Sequence, residues 1–189
     1  MQIDDDIDNC LKELNEGGII LYPTDTIWGL GCDATNEKAV AKIFKIKKRS
    51  DTKSMIILVS NETQIRNYVS QKTPKIFDFI KGINKPVTVI YNNAINLASN
   101  VIAEDGSVGI RIVDEPFCKR LIDLFGKPIV STSSNISGYP PPAIFDDIDI
   151  EIKNSVDYIV KYRRDETTPS SPSAVIKMND DYSFTVLRN

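Results

Sequence analysis

The amino-acid sequence predicts one α/β domain, an open twisted mixed sheet with flanking helices, and three observations carry that expectation. Short apolar, β-branched runs recur along the chain, and stretches of helical spacing separate many of them. Strict β-α-β alternation fails in the middle, which argues against a doubly wound parallel sheet. A length of 189 residues suffices for one well-buried core, so residues 1–189 are read as a single domain.

Asp4 to Asn15 has helical spacing, with Ile3, Ile7, Leu11 and Leu14 on one face and Gly17-Gly18 as its stop. Gly18 to Tyr22 reads as a buried strand. Asn36 is placed to cap a helix running to about Lys48, and Ser54 to Val59 reads as the next strand. Asn61 caps a helix expected to contain Ile65, Tyr68 and Val69, and Thr73-Pro74 opens another through Ile80. Strands follow at Pro86 to Tyr91 and Ser107 to Val113. Pro116 starts a helix carrying Phe117, Leu121, Ile122 and Phe125, which Gly126 ends. Short strands at Pro128 to Val130, Tyr158 to Val160, Ala174 to Lys177 and Phe184 to Leu187 complete the set. Asn92 to Asp105 and Arg163 to Ser173 read as linker-like. The second, rich in Thr, Ser and Pro, reads as a mobile loop.

Composition removes several function classes. With 23 basic and 26 acidic side chains, a uniformly basic protein that coats nucleic acid is not expected. Cys10, Cys32 and Cys118 match no metal or redox spacing and fit a reduced cytosolic thiol set, with Cys32 read as packed. No signal peptide or long apolar span is recognisable, so a soluble cytoplasmic protein with no membrane partner is expected. Histidine is absent, which excludes a Ser-His-Asp triad, a Cys-His pair and any His-ligated metal. Chemistry must then run on carboxylates, hydroxyls, Lys, Arg and backbone amides. That set suits positioning and charge stabilisation, as in phosphoryl or nucleotidyl transfer.

Four segments carry candidate chemistry. Tyr22-Pro23-Thr24-Asp25-Thr26-Ile27-Trp28-Gly29-Leu30-Gly31 ends an apolar strand in two threonines, a carboxylate and glycines that permit close backbone approach. It reads either as a binding edge or as a solvated turn. Between Lys38 and Lys53 lies a basic run, with Lys42, Lys45, Lys47, Lys48 and Arg49. Most such runs are solvated helix faces, yet Lys47 continues the buried series of Val40, Ile43 and Phe44 and there needs an anionic partner. With Arg49 and Lys53 it could hold a polyphosphate, although no Walker-type glycine loop is present. Ser131-Thr132-Ser133-Ser134-Asn135-Ile136-Ser137-Gly138 is either an anion-binding nest or a flexible serine-rich loop. Arg111, mid-strand between apolar neighbours, requires a carboxylate, supplied by a ligand or by an internal Asp or Glu.

In order and spacing, these segments make the chain resemble the Sua5/YrdC/YciO family, in its threonylcarbamoyl-AMP synthase branch. The features that carry the resemblance are Pro23-Thr24-Asp25-Thr26-Ile27-Trp28-Gly29-Leu30, the Lys47-x-Arg49 pair, Ser107-Val108-Gly109-Ile110-Arg111, and Ser131 to Asn135 with Ser137-Gly138. The resemblance implies the sheet described above around a large, concave, basic cavity, in a short form without a C-terminal Sua5 domain. It also implies a nucleotidyltransferase that makes threonylcarbamoyl-AMP and pyrophosphate from L-threonine, bicarbonate or CO2, and ATP, for the N6-threonylcarbamoyladenosine of tRNA. Carried over residue by residue, Thr26, Arg111, Ser131 and Ser173 would form the L-threonine pocket. Lys47, Arg49, Ser133 and Asn135 would be catalytic, with Lys53, Ser107, Pro141 and Arg188 completing the ATP site. Magnesium would accompany ATP, with no metal held by the protein itself, and threonylcarbamoyl transferase proteins would act downstream. Ser50, Leu58 and Lys85 depart from the family pattern, which bears on loop geometry and ATP affinity more than on reaction class. Two other readings stay open on sequence grounds. One is a module for double-stranded RNA or tRNA; the other is a YciO-type paralogue with another acceptor, against which Ser133 and Asn135 argue.

Overall fold

The structure is a computed structural model that describes residues 2–48, 55–70, 76, 80, 82–179, 181 and 183–188. Its elements run α1 (Gln2–Asn15), β1 (Ile20–Tyr22), β2 (Gly29–Gly31), α2 (Glu37–Ile46), β3 (Ile56–Val59), α3 (Glu62–Ile65) and β4 (Val87–Tyr91). A 3-10 turn (Ser99–Val101) leads to β5 (Val108–Ile112), α4 (Pro116–Phe125), β6 (Ile129–Ser133), α5 (Ile150–Lys153), β7 (Tyr158–Ile159), β8 (Ala174–Met178) and β9 (Phe184–Arg188). The strands form one sheet in the order β7-β1-β2-β6-β3-β5-β4-β8-β9. It is mixed, as expected: β3 lies parallel to β5 and β4 to β8, whereas β6 runs antiparallel to both β2 and β3.

Local chemistry explains the helix ends. Asp4 and Asp5 sit in the first turn of α1, where carboxylates complement the helix dipole, and Gly17 turns away with φ 73°. The Asn36 side chain accepts from the Lys38 and Ala39 amides at 3.1 and 3.2 Å, fixing the start of α2. The Glu115 carboxylate accepts from the Cys118 amide at 2.8 Å to start α4. Ile7, Leu14, Phe117, Leu121 and Ile122 are buried where α1 packs on α4, and Asp4 pairs with Arg120 at 2.7 Å over that seam.

Several elements differ from expectation. The helix capped by Asn61 stops at Ile65, because the backbone beyond it is taken by residues 93–96. Ile95 N donates to Tyr68 O (2.8 Å), Ser70 N donates to Asn93 O (3.1 Å), and Val69 bridges Ala94. The helix expected from Thr73 lies largely outside the described residues, although Ile76 and Ile80 are helical. Asn92 to Asp105 is no free linker: Ala98 N donates to Ala34 O (3.0 Å) and the Asn100 amide to Glu37 O (3.0 Å). The strand expected to stop at Val130 continues through Ser133, because β2 pairs with its end. That unexpected strand is the second glycine-bearing part of the first motif. A Cβ on Gly31 would lie 2.6 Å from the Tyr22 ring, so this glycine serves packing between strands rather than approach to a ligand.

Candidate functional site

At the exposed ends of β2, β6 and β5 the chain leaves a polar cleft of about 360 Å³. Thr26, Arg111, Ser131, Ser133, Asn135, Pro141, Ser173 and Arg188 all line it, so eight positions drawn from five distant segments meet there. Gly29, from the first motif, lines it too, as do Met55, Ile56, Tyr139 and Pro172, which carried no signal as site residues. Gly29 joins because it pairs with Ser133, and the space a Cβ would need is 3.2 Å from Ser131 Oγ. The cleft continues past Asn135, Tyr139 and Pro141 into a groove of about 630 Å³ that reaches Lys48 and Glu151.

The first motif is a tightly bonded loop rather than a solvated turn. Thr24 Oγ1 donates to Ile27 O (2.8 Å) and accepts from the Thr26 amide (3.1 Å). Its one proton being used, the 2.9 Å contact between the two hydroxyls has Thr26 as donor. Thr26 then presents only lone pairs to the cleft, a suitable partner for an ammonium. Beneath the loop, Cys118 Sγ donates to Pro23 O at 3.1 Å, and burial, with Glu115 next, holds that thiol well above its ordinary pKa.

Arg111 settles one of the open alternatives. Its guanidinium lies 3.1 Å from Asp25 Oδ1 and 3.4 Å from Thr24 Oγ1, so an internal carboxylate is its partner in this structure. Both side chains are nearly inaccessible, 3% and 7% exposed. Asp25 is further fixed by the Asp114 amide at 3.1 Å. The pairing is incomplete: Arg111 Nε is buried with no hydrogen-bond partner among the described residues. A donor left in that state disfavours the empty site and favours an anion that reaches it.

Lys47 is buried, 2% exposed, as its place in the helix series required. Its partners include the Ser133 carbonyl, the Asn135 carbonyl at 2.7 Å and Asn135 Oδ1 at 3.5 Å. Its own carbonyl accepts from the Ser137 amide at 2.8 Å, so one residue grips the exit of β6 through both backbone and side chain. That exit is not a cradle of free amides. The amides of Ser134, Asn135, Ser137 and Tyr139 donate to carbonyls of Trp28, Ser133, Lys47 and Ile136. The segment offers the cleft hydroxyls and the Asn135 side chain instead.

On the far wall, Thr88 and Ser173 share a hydroxyl contact of 2.8 Å, and Arg188 Nε donates to Ser173 O at 3.1 Å. Ser107 does not line the cleft. It is buried at the start of β5, its amide donating to Asp105 Oδ1 (3.0 Å) and its carbonyl accepting from Ala103 N (2.9 Å). Arg49 and Lys53 lie outside the described residues. The segment 163–173, read as a mobile loop, is tied down: Arg163 donates to Thr24 O (3.1 Å) and Ser170 N to Ala143 O (3.3 Å). Among the described residues no helix is long and apolar enough to cross a membrane.

An open mixed sheet whose strand ends surround a cleft of hydroxyls and paired cations defines an α/β protein built to hold a small polyanionic ligand. The profile of the Sua5_yciO_yrdC family, described as "Telomere recombination", matches residues 12–189, and the chain belongs to that family. It is 37% identical over 173 residues to a putative threonylcarbamoyl-AMP synthase of Methanocaldococcus jannaschii, covering 90% of this chain and 79% of the relative. It is 30% identical over 167 residues to the threonylcarbamoyl-AMP synthase of Vibrio parahaemolyticus, covering 87% of this chain and 89% of that one. The fold is also that of P. abyssi Sua5 complexed with L-threonine (TM-score 0.84, 23% identity), with 96% of this chain covered and 53% of the longer protein.

Proposed function

We propose that this chain is an L-threonylcarbamoyladenylate synthase, joining L-threonine, bicarbonate or CO2, and ATP into threonylcarbamoyl-AMP and pyrophosphate. The observation that carries the reading is the buried, unpartnered Nε of Arg111 at a cleft shared with Thr26, Ser133, Asn135 and Arg188. An amino acid carboxylate satisfies that donor, while its ammonium meets the lone pairs of Thr26. The names of the relatives support the same substrate pair.

The chemistry fits a chain without histidine. The threonine ammonium gives up a proton to solvent, and the free amine then takes up CO2, releasing a second proton to solvent as the carbamate forms. A carbamate oxygen then attacks the α-phosphorus of ATP, and the bond from that phosphorus to the bridging oxygen breaks to release pyrophosphate. Alignment of the two reactants can supply about 7–11 kcal/mol of the barrier. In this reading Thr26, Arg111, Ser131 and Ser173 hold threonine. Ser133, Asn135 and Arg188 hold the nucleotide, and Lys47 and Arg49 offset charge on the leaving pyrophosphate. Nucleotide lying past Asn135 and Pro141 has the adjoining groove for its remaining bulk.

Magnesium enters as part of MgATP. The cleft's described lining residues include no carboxylate, whereas the adjoining groove carries Asp147, Asp149 and Glu151. In MgATP the metal's ligands are phosphate oxygens. The product's destination is tRNA, through a separate threonylcarbamoyl transferase, and three buried free thiols fit a cytoplasmic setting.

Incubation with ATP, L-threonine, bicarbonate and magnesium, followed by mass spectrometry, tests this directly. Threonylcarbamoyl-AMP and a stoichiometric amount of pyrophosphate are expected. Pyrophosphate release that is indifferent to threonine, or none at all, would remove the assignment.

A further inference from the structure

Behind the cleft, away from any proposed ligand contact, the backbone of Arg163 adopts a left-handed conformation with φ 64°. That region suits glycine and strains most other residues. The conformation is imposed from the rear. Buried Asp6, on α1, accepts from the Lys161 amide (3.0 Å) and the Tyr162 amide (2.8 Å), and Tyr162 stacks on Phe117 with ring centroids 5.8 Å apart. The side chain of Arg163 is sent forward as a result. It pairs with Glu166 through two nitrogens at 2.7 Å each, lies 3.9 Å from Glu115 and donates to Thr24 O at 3.1 Å. Glu115 Oε1, the atom it approaches, is buried with no hydrogen-bond partner of its own.

We infer that Arg163 is a positioning residue for the L-threonine side of the cleft, holding the loop that presents Thr26 and that sets Asp25 against Arg111. This rests on the function proposed above. The guanidinium reaches Thr24 O, a loop carbonyl that neither strand pairing nor the loop's own hydroxyls engage in the described contacts, and it brings the positive charge that Glu115 and Glu166 flank. Glycine at this position would relieve the backbone yet release the loop. The retained arginine therefore points to a role carried by its side chain. The nucleotide wall, built on β6 and Lys47, is anchored separately, so loss of Arg163 should separate the two substrates.

The experiment compares wild type with Arg163→Gly, Arg163→Lys and Glu166→Ala. In Arg163→Gly, KM for L-threonine rises about tenfold, the loss of one charged hydrogen bond, while KM for ATP stays put. Arg163→Lys recovers part of the loss, and Glu166→Ala, at a half-exposed side chain, shows a smaller rise in the same parameter. The melting temperature changes little, because relief of the left-handed strain offsets the lost contacts. A second readout needs no substrate. Trp28, the single tryptophan of the chain, closes the same loop and packs at a tilt against Phe145, so its emission shifts to longer wavelength in Arg163→Gly. An unchanged threonine KM with unchanged Trp28 emission overturns the inference, as does a parallel loss of both KM values and melting temperature. If wild type shows no threonine dependence while the emission still shifts, the loop contact stands and the synthase reading falls.

Discussion

Two buried cations are held in different ways: Arg111 lines the cleft, and Lys47 lies behind it, bonded to the exit of β6. Arg111 rests against a carboxylate, Asp25, with both groups inside the protein. Lys47 is seen against carbonyl and amide oxygens at the end of β6. The difference separates stability from activity. Removing Arg111 strands a buried negative charge, whereas removing Lys47 loosens the backbone at the exit of β6.

The largest effect is therefore expected at Arg111. Arg111→Ala should lower the unfolding free energy by about 3–5 kcal/mol in urea titration, the cost of leaving a buried ion without its partner. Arg111→Met combined with Asp25→Asn should recover most of that stability and none of the threonine-dependent pyrophosphate release. If the double variant stays as unstable as the single one, the ionic account of this wall is wrong. Next comes Lys47→Ala, expected to slow pyrophosphate release about 10²–10³-fold, as loss of one positioned charge does in transition-state sites. Its stability should fall by only about 1–3 kcal/mol. Equal losses of stability in the two single variants would erase the contrast. Thr26→Val keeps the loop's shape and removes the hydroxyl. It should raise KM for threonine about tenfold in steady-state kinetics and leave ATP saturation unchanged.

The smallest effect concerns neutral groups packed behind both walls. Burial, ahead of nearby carboxylates, pushes the thiols of Cys10, Cys32 and Cys118 above their ordinary 9.0, and Tyr22 above 10.0. Groups raised in the folded state contribute stability that is whole below the unfolded pKa and is lost as pH climbs past it. Urea midpoints should thus hold from pH 7 to about 8.5 and fall by pH 10, in step with the ordinary thiol range. A midpoint that stays flat to pH 10 would mean these groups are less enclosed than Cys118 under Pro23 implies.

Much of this was legible in the sequence, for reasons that can be stated residue by residue. The caps Asn36 and Gly126 and the apolar stripes of α1 and α4 act over a few residues, so local pattern suffices to find them. Thr26, Arg111 and Ser133 were recognisable because a strand places a polar residue in or beside an apolar run only with a purpose. What escaped detection depends on partners far along the chain. Gly29-Leu30-Gly31 has no β-branched residue, and it is a strand only because Tyr22 on one side and Ile129 on the other leave no room for side chains at Gly31. Arg163 meets Thr24 across 139 positions, and its one local hint, Glu166 three residues on, is common on any surface. Ser107 is the opposite case: it matches a family motif, yet it lies outside the cleft lining and its amide donates to Asp105 in a turn.

β9 is the outermost strand on its side of the sheet, joined only to β8, yet its last described residue carries a guanidinium into the cleft. A polypeptide shortened by a few residues at that end keeps its interior intact and passes for a normal molecule by circular dichroism. It would nonetheless be a poor catalyst, so turnover, more than circular dichroism, reads whether this edge strand is docked.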